Sequence, residues 1–159
     1  MTYKINVGDV LPHFLSKDQE GEPVKDSDLI GGPIVIYFYP KDDTPGCTKE
    51  ACSFRDHMTQ FTESETIVIG VSPDSLHSHQ KFIEKHDLNF TFLCDEKLEL
   101  SKKFDVIRTK TDDGETTQKL ERTTFVIDPQ GVIRWIERPV KVEGHVERVL
   151  EAVKESLED

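Results

Sequence analysis

The chain's hydrophobic positions change period along its length. IVIYFY at 34–39 is an unbroken β-branched and aromatic run, entered through Gly31-Gly32-Pro33 and stopped by Pro40. Such a run predicts a strand buried on both faces. TIVIGVS at 66–72 and FTFLC at 90–94 predict two more strands. Between them the pattern turns helical: from about Cys47 to Phe61, from a cap at Ser72-Pro73-Asp74 to about His86, and in a short helix over Lys97–Phe104. HFLSKDQEGEPV at 13–24 predicts two short strands around a Gln-Glu-Gly turn. RTTFVID at 122–128 and VIRWIER at 132–138 flank Asp128-Pro129-Gln130-Gly131, a hairpin signal. Residues 108–120, RTKTDDGETTQKL, predict a polar loop or ragged hairpin. EGHVERVLEAVKESL at 143–157 predicts an amphipathic helix with Val146, Val149, Leu150, Val153 and Leu157 on one face.

Strand–helix–strand–helix–strand, then a hairpin and a closing helix, specifies an α/β fold: a central mixed sheet flanked by helices, with an N-terminal β-hairpin extension. No repeat or linker interrupts it, so residues 1–159 are expected to form one domain. Reactive groups in such folds collect where a parallel strand ends and its helix begins. Cys47 falls at that place.

Composition narrows the function. With 31 acidic and 20 basic residues the formal charge is −11, which repels nucleic acid and anionic lipid. Neither nucleic acid nor membrane is expected as a partner. The N-terminus MTYKINVGDVLPHF lacks the apolar core of a signal peptide, so the expected compartment is the cytoplasm, where thiols stay reduced. Three cysteines are too few for a disulfide scaffold, and the six histidines are scattered, so no metal is expected.

The chemistry concentrates in YPKDDTPGCTKEACSFRD at 39–56. Cys47 is either a reactive thiol or a small apolar residue filling a helix entrance. Unpaired N–H groups at a helix N-terminus favour thiolate over thiol, which supports the first reading. Thr44 adds a hydroxyl, and Pro40 and Pro45 bracket the loop. Gly46 lets backbone approach whatever the sulfur attacks. On an ideal helix Cys47 and Cys52 have Cα atoms about 8–9 Å apart, against the roughly 4.4–6.8 Å a disulfide needs. A permanent bridge is therefore disfavoured, and one made and broken by local unwinding is compatible. Cys94, closing an apolar strand, reads as structural, with a minor role as a substitute for Cys52. A thiolate attacking an oxygen electrophile also wants a fixed guanidinium. Among Arg55, Arg108, Arg122, Arg134, Arg138 and Arg148, Arg122 opens a strand that can lie beside the one leading to Cys47.

FYPKDDTPGCTKEAC resembles the active-site signature of peroxiredoxins of the Q-type, or bacterioferritin-comigratory-protein, subfamily. GDVLPHF, VSPDSLHSHQKF, RTTFVIDPQGVIRWI and VKVEGHVERVLEAV are similar to that subfamily in order and spacing, covering nearly the whole chain. The resemblance implies a thioredoxin-like fold. It also implies a peroxidase acting on hydrogen peroxide and alkyl hydroperoxides and recycled by thioredoxin or a similar dithiol, without cofactor. It implies Cys47 as the peroxidatic and Cys52 as the resolving cysteine, Thr44 bonding thiolate and peroxide, Pro40 and Pro45 shielding, Arg122 activating and Glu50 orienting that arginine. Substrate contacts are expected from Thr44, Pro45, Gly46 and Arg122. A monomer or weak homodimer is expected. Segment 108–120 lacks the Lys-Gly pattern of relatives, and Cys94 stands where they have a small non-cysteine residue.

Three other readings compete: a general thiol–disulfide oxidoreductase, a peroxide-sensing thiol switch, and a cysteine hydrolase using a distant His145. The first normally carries Cys-x-x-Cys, which is absent around Cys47. The second shares the first oxidation and differs only in turnover. The third has nothing in sequence to orient His145.

Overall fold

The computed structural model describes residues 3–158. Its centre is strand β3, Ile34–Phe38, in which every residue is buried. Alternate side chains serve two cores, as the period of a strand requires. Ile34, Ile36 and Phe38 enter one cluster, while Val35 and Tyr37 enter the other, joined there by Tyr39 just past the strand end.

β3 pairs in parallel with β4, Ile67–Ser72, which pairs in parallel with β5, Thr91–Cys94. On its other side β3 pairs antiparallel with β8, Thr123–Ile127, which pairs antiparallel with β9, Ile133–Glu137. The five-stranded sheet runs β5-β4-β3-β8-β9. Helices α1 (Pro45–Asp56), α2 (Met58–Glu63), α3 (Leu76–His86) and α5 (His145–Ser156) contribute Phe54, Phe61, Phe82 and Val149 to one face. The other face takes Leu100 from α4, Glu99–Lys103, with Phe104 beyond it and Leu11 and Phe14 from the N-terminal segment. This is the expected thioredoxin-like mixed sheet, and β1 (Leu15–Lys17) and β2 (Pro23–Lys25) form the N-terminal hairpin.

Four local expectations are revised. The helix expected from Cys47 to Phe61 starts at Pro45, which suits its first turn, and breaks at His57, whose ring lies 2.8 Å from the Ser53 carbonyl. The cap of α3 is Ser75, whose side chain accepts from Ser78 N; Ser72 and Asp74 instead bond each other. Segment 108–120 is a regular hairpin of β6, Ile107–Asp112, and β7, Glu115–Leu120, turning on Asp113 and Gly114 with φ of 49° and 80°. Its polarity hid the strands because residues 109–119 are exposed on both faces. Leu157 lies past the end of α5 and is exposed, while Val146, Val149 and Val153 are buried as expected, joined by His145 and Ala152.

Gly70, mid-strand in β4, has no room for a side chain: a Cβ would stand 2.8 Å from the Phe92 ring and 3.0 Å from Tyr37. Gly70→Ala is expected to cost about 1–3 kcal/mol, as overpacked cores do. Urea unfolding would show it as a lower midpoint at unchanged slope.

Candidate active site

Strand register assembles the site. Phe38 of β3 pairs with Thr123 of β8, so the residue before β8, Arg122, stands beside the end of β3 from which the chain passes to α1. Thr44 is the N-cap of α1 in extended conformation, Pro45 its first residue and Cys47 its third. The sulfur thus lies in the first turn, among backbone N–H groups that no helix carbonyl satisfies. Cys47 is 1% exposed, yet its surroundings are not simply apolar. The Arg122 guanidinium donates through Nη2 to Cys47 Sγ at 3.2 Å and through Nη1 to Glu50 Oε1 at 2.7 Å. Burial works against the Arg122 charge, but Glu50 and Cys47 more than offset it and raise its pKa. A Cβ on Gly46 would stand 3.4 Å from Arg122 Nη2, an ordinary contact, so the guanidinium passes close over this glycine.

The remaining candidate residues sit around this clamp in different ways. The Thr44 hydroxyl donates to the Lys41 carbonyl at 3.0 Å, holding the loop rather than the sulfur. Pro40 is exposed and, with Arg122, Leu120 and Pro139, lines a cavity of about 410 Å³. Cys52 is half-buried on the same helix as Cys47, and all three thiols are free, in keeping with the spacing argument. Cys94 is separate: burial pushes its thiol up to about 11, helped by Glu96, Asp42, Asp18 and Asp74. A thiol so disfavoured as thiolate is a poor substitute for Cys52.

Two arrangements were not read from the sequence: the fastening of the loop before α1 and the pairing of His145 with Glu50. The loop before α1 is fastened by buried Asp42, which accepts from Tyr39 Oη at 2.5 Å and Ser78 Oγ at 2.8 Å and lies 2.8 Å from His79 Nδ1. His79 Nε2 faces the Leu93 carbonyl at 3.0 Å, so that nitrogen carries hydrogen. The Asp42 backbone N–H donates to Asp74 at 2.7 Å. The second feature is His145. It is 1% exposed, its Nδ1 is 3.3 Å from Glu50 Oε2, and its ring meets Phe54 edge-on. A histidine on the apolar stripe of an amphipathic helix was the available signal.

Burial pushes the Glu50 carboxyl up to about 7 against the pull of Arg122, and burial lowers His145 to about 4. Glu50 therefore contributes stability that is complete below its ordinary value of 4.5 and is lost as pH rises through about 7. His145 contributes stability present above 6.5 and lost as pH falls through about 4. The two oppose each other at mildly acidic pH.

The profile of the AhpC/TSA family matches residues 7–136. Peroxiredoxin Bcp of Bacillus subtilis is 46% identical over 154 residues, covering 97% of this chain and 98% of that protein. Chloroplastic peroxiredoxin Q of Sedum lineare is 40% identical over 152 residues, covering 95% of this chain and 79% of that protein. Among solved structures, a cysteine-to-serine mutant of Xylella fastidiosa PrxQ superposes with a TM-score of 0.91 at 37% identity, covering 99% of this chain and all of the other. The bacterioferritin comigratory protein of Xanthomonas campestris, studied for alkyl peroxide reduction, superposes with a TM-score of 0.87 at 34% identity, covering 92% of this chain and 98% of that one. A thiol held by an arginine at a helix entrance, on a chain alike over nearly its full length, belongs to the AhpC/TSA family and, within it, to the Bcp and Q-type peroxiredoxins.

Proposed function

We propose that this chain is a thiol peroxidase that reduces hydrogen peroxide and alkyl hydroperoxides through Cys47. The observation that carries the reading is the 3.2 Å hydrogen bond from Arg122 to the Cys47 sulfur in the first turn of α1. The Cys47 thiolate attacks the terminal peroxide oxygen. The O–O bond breaks, the other oxygen leaves as water or alcohol with a proton, and the sulfur becomes a sulfenic acid. Negative charge grows on the leaving oxygen, which Arg122, already donating to the attacking sulfur, and the unpaired α1 amides would stabilise. Pro40 and Pro45 restrict the loop against water, and Gly46 lets the peroxide approach. Rotation of the Thr44 hydroxyl from Lys41 toward the sulfur on peroxide binding completes the donor set.

Cys52 then attacks the sulfenic sulfur, water leaves, and a Cys47–Cys52 disulfide forms once the first turns of α1 unwind. A thioredoxin-like dithiol reduces that bridge by exchange. We infer a monomer or weak homodimer, working in the cytoplasm where thiols stay reduced. An NADPH–thioredoxin-coupled assay with hydrogen peroxide and an organic hydroperoxide tests the reading, and absence of turnover with both would overturn it.

Cys52→Ser is expected to consume one equivalent of peroxide per chain at the wild-type rate. Thioredoxin-coupled turnover then falls at least about ten-fold, the pattern of a burst without a second step. Single-turnover and steady-state traces of the same preparation separate the two phases.

A further inference from the structure

Next to the Arg122 clamp, Glu50 Oε2 and both ring nitrogens of His145 are buried with no aligned hydrogen-bond partner among the described residues, as is Tyr37 Oη, which faces Glu50. Buried polar atoms of that kind carry a cost unless they serve something. Glu50 Oε2 and His145 Nδ1 are nevertheless 3.3 Å apart, with both side chains fully enclosed, and Glu50 Oε1 is the atom that receives Arg122. We propose that His145 is a positioning residue of the active site: its Nδ1 donates to Glu50 Oε2 when Glu50 is a carboxylate, and when the pair takes up one proton from solvent the ring changes tautomer and Nδ1 accepts from the Glu50 acid, so the pair sets the form in which Glu50 meets Arg122.

The chemistry follows from what each form offers the guanidinium. With the proton on Nδ1, Glu50 is a carboxylate and shares the positive charge of Arg122 with the Cys47 sulfur. With a proton on Oε2, the imidazole accepts through Nδ1 and carries its own hydrogen on Nε2. Arg122 then serves the sulfur alone. Two anions sharing one cation compete for it, so protonating Glu50 favours thiolate at Cys47, and forming the thiolate favours the acid at Glu50. The pushed-up value of Glu50, about 7, places this exchange at neutral pH, and the lowered one of His145, about 4, keeps the ring neutral throughout. Groups facing the pair are Tyr37 on β3, Cys47 on α1, Arg122 before β8, Glu137 on β9, and Glu147 and Arg148 on α5 itself. Phe54 closes the apolar side.

The proposal rests on Cys47 being the reactive thiol, so its test reads that sulfur without peroxide. In a Cys52→Ser, Cys94→Ser background, the pH dependence of Cys47 alkylation by iodoacetamide is expected to show an inflection near neutrality beyond thiol ionisation. His145→Leu removes the Nδ1 donor and should move it upward by about one pH unit. His145→Gln, which keeps an amide donor, should restore most of the shift. In Glu50→Gln the inflection disappears and His145→Leu adds nothing. A His145→Leu profile that superposes on the parent would overturn the proposal. Ring ¹⁵N NMR of the unaltered protein guards against misfolding of the variant. The His145 ring should pass from the Nδ1–H to the Nε2–H tautomer as pH falls through neutrality, and a single tautomer between about pH 5 and 9 would overturn it equally. A shifted alkylation profile in a protein that consumes no peroxide would support the pair while sinking the peroxidase reading.

Discussion

Cys47→Ser abolishes peroxide turnover, by a factor on the order of 10³ or more, as loss of a covalent nucleophile does. Every other part of the site survives the change, since serine fits where cysteine sat in the first turn of α1 and Arg122 keeps Glu50. What disappears is a sulfur nucleophile that attacks oxygen, because a serine hydroxyl does not do so without a base. Among the described residues no base contacts that position; Arg122 is a donor only. Residual peroxide consumption above a few per cent of the parent would relocate the chemistry to another sulfur. The burial that raises Cys94 to about 11 makes that thiol a poor candidate. The same coupled assay, run with single Cys→Ser variants at Cys47, Cys52 and Cys94, decides the matter.

Asp42→Ala carries the second large effect, on stability. It strips the partners from Tyr39, Ser78 and His79 in a buried place. Removing one side of a buried charged hydrogen-bonded pair costs about 3–5 kcal/mol. For a domain of this size that lowers the thermal midpoint by about 10 °C. Asp43, next in sequence, is the control. Its partners Lys85 and His86 hold its pKa down, but its side chain is exposed to water. Asp43→Ala should leave the midpoint near the parent value, since exposed pairs contribute little. Equal midpoints for the two variants would show that Asp42 is not the fastening point. Peroxide oxidation of Cys47 should slow in Asp42→Ala as well, because the loop that delivers the sulfur loses its anchor.

The fold was legible where hydrophobic period and breakers agreed. IVIYFY between Pro33 and Pro40 is β3, and the Asp128–Gly131 turn joins β8 to β9. It was illegible in β6 and β7, where both faces meet solvent and no alternation exists to read. The site divides the same way. Cys47, Cys52 and the N-cap Thr44 share one local segment whose spacing is informative by itself, while Glu50 in the same segment was marked only by the family resemblance. Arg122 came from the family resemblance and, from the residues themselves, only by guessing which strands are neighbours, a guess the Phe38–Thr123 register bears out. Asp42–His79 and Glu50–His145 are 37 and 95 positions apart, and nothing in a linear pattern joins them. His145 was named in sequence only as the distant partner of a hydrolase; its actual neighbour is a carboxylate rather than the sulfur.

Fastening at Asp42 has a consequence for the oxidised protein. The loop is moored to α3 and β5 through His79, so when Cys52 reaches back for Cys47 the displacement falls on the residues after Pro45. Glu50 lies between the two cysteines and must leave its guanidinium as the backbone moves. Once bridged, the first turns of α1 are expected to become an unwound ribbon with Arg122 released from Glu50, a surface the reduced form does not present. A recycling partner that grips the ribbon engages spent enzyme and ignores fresh enzyme, with no separate recognition element required.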